Sequence, residues 1–337
     1  MQKRWQTIQE CLDGYSEILI VLHDDPDPDA VASGEALRFL LSERLQMRGE
    51  IVYRGVIGRA ENRALVDFLA PQMETLPDDA TPQKRPQQAV ALLDTQPGAG
   101  NSPLPVDYPV DLVIDHHTDR EDGAGRFRDI RPWIGALSTI ISQYLQAAEL
   151  KPSMRVATAL FYGIKTDTKA LSRDASAADV SAYFHLLEFV DVDALVEIEN
   201  AQVPAEYFKS LSEAMQSARV YDGVVFTFLG QSNYPDLTAE VADLLLRLEG
   251  VRWVVCMGAY EDQLYLSVRA RSEEVDADEL AKEIIGESGT AGGRNTLAGG
   301  QLPLNGADAQ QMAEQIRLRT LAYLEVPASL EGQRLVP

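Results

Sequence analysis

Acidic side chains and one histidine crowd a short stretch near the N-terminus. The segment HDDPDPDAVASG, residues 23–34, follows the apolar run EILIVL and opens with His23. Within seven residues it holds four carboxylates, Asp24, Asp25, Asp27 and Asp29. Charges this close repel each other unless cations lie between them. Because carboxylate oxygens and imidazole nitrogens bind divalent metals, the stretch predicts a metal site. The alternative is a solvated acidic loop in which Asp29 caps a helix.

A second group of such residues stands in DLVIDHHTD, which contains Asp115, His116 and His117. Three of the four histidines therefore lie beside carboxylates. The predicted strands EILIVLH, AVALLD and VDLVID run directly into His23, Asp94 and Asp115. Carboxyl ends of parallel strands meet at one edge of a sheet, where ligands bind. The fourth histidine, His185, lies in a helical pattern among apolar residues and is expected to be structural.

The elements that position these residues alternate between strand and helix over the first ~170 residues. This alternation predicts an α/β domain with a parallel sheet and helices on both faces. We place that domain at 1–190 and linker helices at 191–217. A smaller α+β domain with antiparallel strands follows at 218–337, and we expect a cleft between the two domains. Segments 74–88 and 95–109 are rich in Pro, Gln, Gly and Asp and are predicted to be exposed loops.

These motifs, in this order, resemble those of the DHH phosphoesterase family. HDDPDPDAVASG is similar to the family's HxxPDxDAxGS, DLVIDHH contains the eponymous Asp-His-His, and GIKTDT resembles its fourth acidic motif, G-I-x-T-D-T. Near the C-terminus, LSVRAR and the glycine-rich GTAGGRNTLAGG resemble the S-x-R strand and the GGGHxxAAG motif of the DHH-associated domain. The chain departs from the pattern at Ser33-Gly34, where the family has Gly-Ser, and at Arg294, where it has histidine.

The resemblance implies a two-metal site and assigns the residues. Its metal ligands would be His23, Asp27, Asp29, Asp94, His116 and Asp167, with Asp94 bridging the two ions. Asp115 would orient a ligand histidine, and His117 would face the scissile phosphate. Oxygen-rich mixed ligands suit two Mn²⁺ ions, with Mg²⁺ as the alternative.

The resemblance also implies how the second domain binds substrate. The candidates are Arg269, Gly292, Gly293 and Arg294, with Arg271 on the same strand face as Arg269. The segment GTAGGRNTLAGG, residues 289–300, would form a loop that closes over the cleft. A fixed positive charge at Arg294 would favour substrates with a second phosphate. Asn62 and Arg63 either line the cleft or cap a helix.

The implied activity is hydrolysis of short phosphate esters by two-metal activation of water. The length and two-domain layout resemble the branch that acts on short oligonucleotides and 3′-phosphoadenosine 5′-phosphate. The alternatives are a cyclic-dinucleotide phosphodiesterase, a polyphosphate or pyrophosphate hydrolase, and a non-catalytic nucleotide-binding protein. The sequence leaves open the preferred substrate, the metal used in the cell and the oligomeric state, a homodimer included.

Composition limits the partners. The 337 residues include 30 Lys+Arg against 52 Asp+Glu, a net charge of −22. Proteins that track long nucleic acids neutralise phosphates with a basic groove, so long DNA or RNA is not expected as a partner. No apolar run reaches the ~18 residues of a membrane span, and the N-terminus is predicted to form an amphipathic helix, so we expect a cytoplasmic protein. Cys11 and Cys256 lack metal-ligand spacing and are predicted to be buried thiols.

Overall fold

A computed structural model describes residues 1–69, 73–120, 124–272, 276–327 and 329–336, apart from the side chain of Arg294. The chain divides into two compact units, Met1–Ala201 and Gln202–Pro337. The division falls inside the segment predicted to be a linker, so one of its two helices belongs to each unit.

The first unit is built on a six-stranded sheet in the order β3-β2-β1-β4-β5-β6. Its strands are β1 (Glu17–Val21), β2 (Arg48–Arg54), β3 (Met73–Leu76), β4 (Gln88–Leu93), β5 (Leu112–Asp115) and β6 (Phe127–Ile130). Every neighbouring pair is parallel. The central strands β1, β4 and β5 are apolar and almost entirely buried, as expected for parallel strands in a sheet covered on both faces. The predicted α/β class and parallel sheet are confirmed.

The described residues of the first unit form seven helices: α1 (Gln2–Leu12), α2 (Pro28–Leu45), α3 (Ala60–Leu69), α4 (Leu137–Ala147), α5 (Met154–Asp167), α6 (Ala177–Leu187) and α7 (Val192–Glu199). Their buried side chains pack with Ile18 and Ile20 on one face of the sheet. On the other face, Leu19 and Val21 pack with a smaller cluster whose side chains come from strands and the β4–β5 connection. Crossover connections between parallel strands are right-handed. The β1–β2 and β4–β5 connections run in opposite directions along the sheet, so they lie on opposite faces. The second crossing contains the predicted loop 95–109. Among the described residues, this segment and the strands form the core on that face, where helices were expected.

The second unit has a seven-stranded sheet in the order β11-β12-β10-β9-β8-β7-β13. The strands are β7 (Arg219–Tyr221), β8 (Val224–Gln231), β9 (Trp253–Tyr260), β10 (Gln263–Ala270), β11 (Thr290–Arg294), β12 (Leu297–Pro303) and β13 (Gln333–Arg334). The helices are α8 (Ala205–Ser217), α9 (Leu237–Leu245), α10 (Ala277–Ile285) and α11 (Ala309–Tyr323). A second domain with its own sheet and core is therefore confirmed.

Three details differ from the sequence prediction. Strands β8 and β9 pair in parallel, because α9 connects them as a crossover, while the other pairs of this sheet are antiparallel. The glycine-rich segment 289–300, predicted to be a loop, forms the hairpin β11–β12 at the sheet edge. The predicted loop 74–88 contains most of β3, a short edge strand. Its residues are partly or fully exposed, so they lack the apolar pattern that predicts a strand.

Both cysteines are buried free thiols, as predicted. Among the described residues, no helix has the length and apolar character needed to cross a bilayer.

Candidate metal centre

Three neighbouring strands bring the predicted ligands to one edge of the first sheet. Strands β1, β4 and β5 are adjacent and parallel, so their carboxyl ends lie side by side. His23 follows β1, Asp94 follows β4, and Asp115 ends β5. Successive strands are added to one side of β1 as far as β3 and to its other side from β4 onward. In open α/β sheets, ligands bind beside the point where this direction changes. The topology therefore points these side chains toward a common site.

The first group of potential ligands consists of His23, Asp27 and Asp94, whose candidate ligand atoms lie within 4.8 Å of one another. His23 Nε2 lies 3.9 Å from Asp27 Oδ1 and 3.7 Å from Asp94 Oδ2. Asp27 is also the N-cap of α2, where its Oδ1 accepts the Ala30 N–H at 3.0 Å. The cap fixes this carboxylate beside the imidazole.

The second group consists of Asp29, His116 and Asp167, again within 4.8 Å. His116 Nε2 lies 3.4 Å from Asp167 Oδ2 and 3.3 Å from Asp94 Oδ1. Asp94 therefore presents one oxygen to His23 of the first group and the other to His116 of the second. The two groups together contain all six residues predicted as metal ligands, and Asp94 stands between them.

Asp94 shows two features that fit a bridging ligand. Its backbone is left-handed, with φ of 60°, a conformation that is uncommon outside glycine and costs about 1–3 kcal/mol. Its Oδ1 atom is buried and accepts no hydrogen bond from the residues that the structure describes. A buried carboxylate oxygen without a donor is costly, and a divalent cation would satisfy it. The donor set at this edge therefore fits divalent metal ions.

Hydrogen bonds to backbone carbonyls orient both candidate imidazole ligands. His23 Nδ1 lies 2.7 Å from the Asp24 carbonyl oxygen, and His116 Nδ1 lies 3.2 Å from that of Ile134. A carbonyl only accepts, so each Nδ1 carries the proton and each Nε2 is left free as a ligand. No sequence pattern indicates the Ile134 contact, because a main-chain atom makes it.

Asp29 ties two helices to the site. It lies in the first turn of α2 and is fully buried. Its Oδ2 accepts the Leu137 N–H at 2.5 Å, and its Oδ1 accepts the Ser138 N–H at 2.7 Å. These N–H groups open α4 and have no partner within that helix. The alternative role for Asp29, capping of a helix, is thus realised on α4, while the same carboxylate stands beside His116 and Asp167.

The carboxylates repel one another strongly in the absence of a cation. Burial, together with the charge of Asp94, raises the pKa of Asp29 to about 7. Burial and the neighbouring Asp27 and Asp29 raise the pKa of Asp167 well above its ordinary value. Burial by itself would lower the pKa of His23, but the contact with Asp27 outweighs it and raises that pKa to about 10. The site holds protons where a metal ion would supply positive charge.

Asp115 contacts His117, where the sequence led us to expect a contact with a ligand histidine. Its Oδ1 lies 2.8 Å from His117 Nδ1 and also accepts the N–H groups of His116 and His117. Burial would raise the pKa of Asp115, but the contact with His117 lowers it well below the usual value. An ionised carboxylate only accepts, so His117 Nδ1 donates. The His117 side chain is 57% exposed, which leaves its other nitrogen accessible.

In the second unit, two of the four predicted substrate-binding residues, Arg269 and Gly293, have structural roles. Arg269 is buried, with Nε donating to Asp243 at 2.9 Å and Nη1 to two backbone carbonyls. A Cβ at Gly293 would lie 2.3 Å from the Leu297 oxygen, so hairpin packing requires this glycine. A Cβ at Gly292 would meet no atom within 4 Å. The side chain of Arg294 lies outside the described part of the chain. Substrate binding by these four residues stays a prediction.

The remaining candidates are buried or have local partners. Arg271 donates to the backbone carbonyls of Leu246 and Val251. Asn62 is buried in α3, and Arg63 donates to the Gly58 carbonyl. His185 packs edge-on against Phe189, with ring centroids 5.6 Å apart.

Comparisons with known proteins agree with this architecture. Residues 222–318 match the model of the DHHA1 domain. An uncharacterized protein of Methanocaldococcus jannaschii is 32% identical over 302 residues, which cover 89% of this chain and 61% of that protein. The chain therefore spans about three fifths of the length of this curated relative.

Two solved structures are similar to this chain to different degrees. An exopolyphosphatase-related protein from Bacteroides fragilis superposes with a TM-score of 0.72 at 16% identity, covering 96% of this chain and 97% of that one. This likeness shows a common fold. RecJ from Thermus thermophilus, solved in complex with Mg²⁺, has a TM-score of 0.49 at 14% identity and covers 98% of this chain and 53% of that one.

The pKa shifts predict how the metal-free protein responds to pH. Asp29 keeps its proton to about pH 7 when folded and His23 to about pH 10, whereas in an unfolded chain these groups release protons near 3.9 and 6.5. The folded state thus binds more protons between about pH 4 and 10, so its stability falls as pH rises through that range. We expect the chelator-treated protein to melt at a lower temperature at pH 9 than at pH 6.

Saturating Mn²⁺ should reduce this difference, because the ions take the place of the protons. At a free ion concentration of 100 times the dissociation constant, each ion should stabilise the fold by about 2.7 kcal/mol. Calorimetric melting curves at both pH values, with and without Mn²⁺, measure the effect. Metal-free stability that rises from pH 6 to pH 9 would contradict the assignment.

Gly163→Ala should disturb the second ligand group through packing. A Cβ at Gly163 in α5 would lie 2.4 Å from Ser138 Oγ and 3.0 Å from Asp29 Oδ1. Alanine normally favours a helix by about 1 kcal/mol over glycine, but this overpacking should instead cost about 1–3 kcal/mol. We expect weaker Mn²⁺ binding in titration calorimetry and lower stability in urea. Gly34→Ala is the matched control, since its Cβ would meet the Leu22 side chain at 3.1 Å. Unchanged Mn²⁺ affinity in Gly163→Ala would refute the packing role.

Proposed function

We propose that this chain, which matches the DHHA1 domain over residues 222–318 and whose N-terminal motifs resemble those of DHH phosphoesterases, is a metal-dependent phosphoesterase that acts on short phosphate esters. The observation that carries the proposal is the pair of ligand groups that share Asp94, whose buried Oδ1 lacks a hydrogen-bond donor among the described residues. Such a donor set suits hydrolysis at phosphorus without a side-chain nucleophile.

The ligand groups suit two hard or borderline ions. Four carboxylates and two imidazoles favour Mn²⁺, with Mg²⁺ as the alternative, since oxygen ligands select these ions over softer metals. When bound, such ions lower the pKa of a water molecule and neutralise charge on the phosphoryl oxygens.

The protein's own residues then position the reactants. Asp29, held by the N-terminus of α4, and Asp27, held by the N-terminus of α2, keep two carboxylates rigid at the site. His117 is anchored through Nδ1 on Asp115, which leaves its Nε2 to approach a phosphate oxygen. In the imidazolium form both ring nitrogens carry protons. Nε2 then donates to that oxygen and stabilises the charge that develops on phosphate in the transition state.

Short oligonucleotides and 3′-phosphoadenosine 5′-phosphate are the substrates we propose. The net charge of −22 supports short ligands over long nucleic acid, whose affinity depends on neutralising many phosphates. At the β11–β12 hairpin, the open face at Gly292 leaves room for a ligand to approach the backbone.

A substrate panel with Mn²⁺ tests the proposal. It contains 3′-phosphoadenosine 5′-phosphate, RNA of two to five nucleotides, cyclic dinucleotides, polyphosphate and a nitrophenyl phosphodiester. Polyphosphate is included because a structural neighbour is named exopolyphosphatase-related. We expect turnover of the generic diester, and the fastest turnover on the first two substrates. Binding of a nucleotide without turnover of any ester would instead support a non-catalytic nucleotide-binding protein.

His117→Ala should separate catalysis from metal binding. Removing one transition-state donor should lower kcat by about 10²-fold or more, while the Mn²⁺ content stays near that of the native protein. His185→Ala is the matched control, because this histidine packs on Phe189 away from the ligand groups, and its kcat should be unchanged. Loss of bound Mn²⁺ in His117→Ala would show that this imidazole is a ligand, and the role given to it here would be wrong.

A further inference from the structure

The Gln96 side chain joins two strand ends at the candidate metal centre. It lies two residues after Asp94 and is 2% exposed. Its Nε2 donates to Asp115 Oδ2 at 2.7 Å and to the Thr118 carbonyl oxygen at 3.0 Å. Its Oε1 accepts the Arg120 N–H at 2.9 Å and lies 3.5 Å from Arg128 Nη2. Both N–H donors and both lone-pair positions of the amide are thereby used.

The two carboxylate oxygens of Asp115 have different hydrogen-bond donors. Oδ1 accepts His117 Nδ1–H and the backbone N–H groups of His116 and His117, whereas Oδ2 accepts from Gln96. The carboxyl group is fully buried, so Oδ2 without Gln96 would lose a donor that water cannot easily replace. The carboxylate would then turn toward other donors, and the His117 ring would lose its fixed orientation.

We propose that Gln96 is a positioning residue for the reaction: it fixes Asp115, and through Asp115 it fixes the imidazole of His117. The inference rests on the proposed function for its catalytic consequence, since His117 acts on phosphate only if the protein is a phosphoesterase. The orientation of the ring is a property of the fold and can be measured without turnover. Among the described residues, the hydrogen-bond partners of the Gln96 side chain include no member of the ligand groups, so its effect on the site passes through Asp115.

The central test replaces Gln96 by methionine, which keeps the volume and removes every hydrogen bond of the amide. Residues that orient a catalytic or ligand group typically contribute about 10–100-fold, so we expect kcat of Gln96→Met to fall by about that factor. KM and the number of bound Mn²⁺ ions should stay the same. Asp119→Asn is the matched control: it weakens the ion pair between Asp119, which follows β5, and Arg128 of β6 without touching Asp115, and kcat should not change.

A double-mutant cycle distinguishes positioning from general support of the fold. In the His117→Ala background, Gln96→Met should cause no further loss of kcat, because the ring that it positions is absent. An equal loss in both backgrounds, or a loss of bound Mn²⁺ that accounts for the lower kcat, would overturn the inference. If the methionine variant does not fold, Gln96→Asn keeps an amide but shortens its reach by one methylene, and the same pattern is expected to a smaller degree.

An NMR measurement tests the inference without relying on enzymatic activity. The four histidines can be labelled with ¹⁵N and observed in the Mg²⁺-loaded protein by long-range ¹H–¹⁵N correlation. His117 Nδ1 should carry the proton in the native protein, and its signal should shift or broaden in Gln96→Met while the His23 signals keep their positions. Absence of turnover on every phosphate ester would refute the proposed function alone. Unchanged His117 ring signals in Gln96→Met would refute the role of Gln96.

Discussion

Mutual repulsion among four clustered carboxylates, two of them buried, is the constraint on which this structure depends. Asp27, Asp29, Asp94 and Asp167 meet at one sheet edge together with the imidazoles of His23 and His116, and His117 lies beside Asp94. In the metal-free protein the cluster retains protons, as the raised pKa values of Asp29 and Asp167 show. Such a cluster costs stability unless cations bind, so the fold is arranged to favour ion binding at this edge.

N–H groups at helix N-termini offset part of this loss of stability. Asp27 caps α2, and Asp29 accepts two N–H groups from the start of α4, so each carboxylate has N–H donors apart from a metal. Close approach of α5 at Gly163 then brings Asp167 to the same point. The Gln96 side-chain amide likewise donates a hydrogen bond to Asp115. The geometry of the site is thus set by backbone amides and one buried side-chain amide, which are rigid partners.

The residues at strand ends could be predicted because each apolar run stops at a polar residue. His23, Asp94 and Asp115 follow buried strands, and a parallel sheet places those ends together. Asp167 was found through the resemblance of GIKTDT to a family motif, since helical periodicity alone does not mark it. The sequence could not tell which of the adjacent imidazoles Asp115 contacts, because that choice depends on the Ile134 carbonyl and on Gln96, contacts that no local pattern encodes. The β11–β12 hairpin was missed because glycine favours a loop prediction, although packing against Ala298 requires Gly293.

The central claim is that the two ligand groups bind two ions bridged by Asp94. Anomalous diffraction from crystals soaked in Mn²⁺ tests it most directly, because each ion gives its own peak at a position independent of any mechanism. We predict two peaks: one beside His23 and Asp27, the other beside Asp29, His116 and Asp167, with Asp94 contacting both. A single peak at saturating Mn²⁺, or two peaks elsewhere in the molecule, would contradict the account.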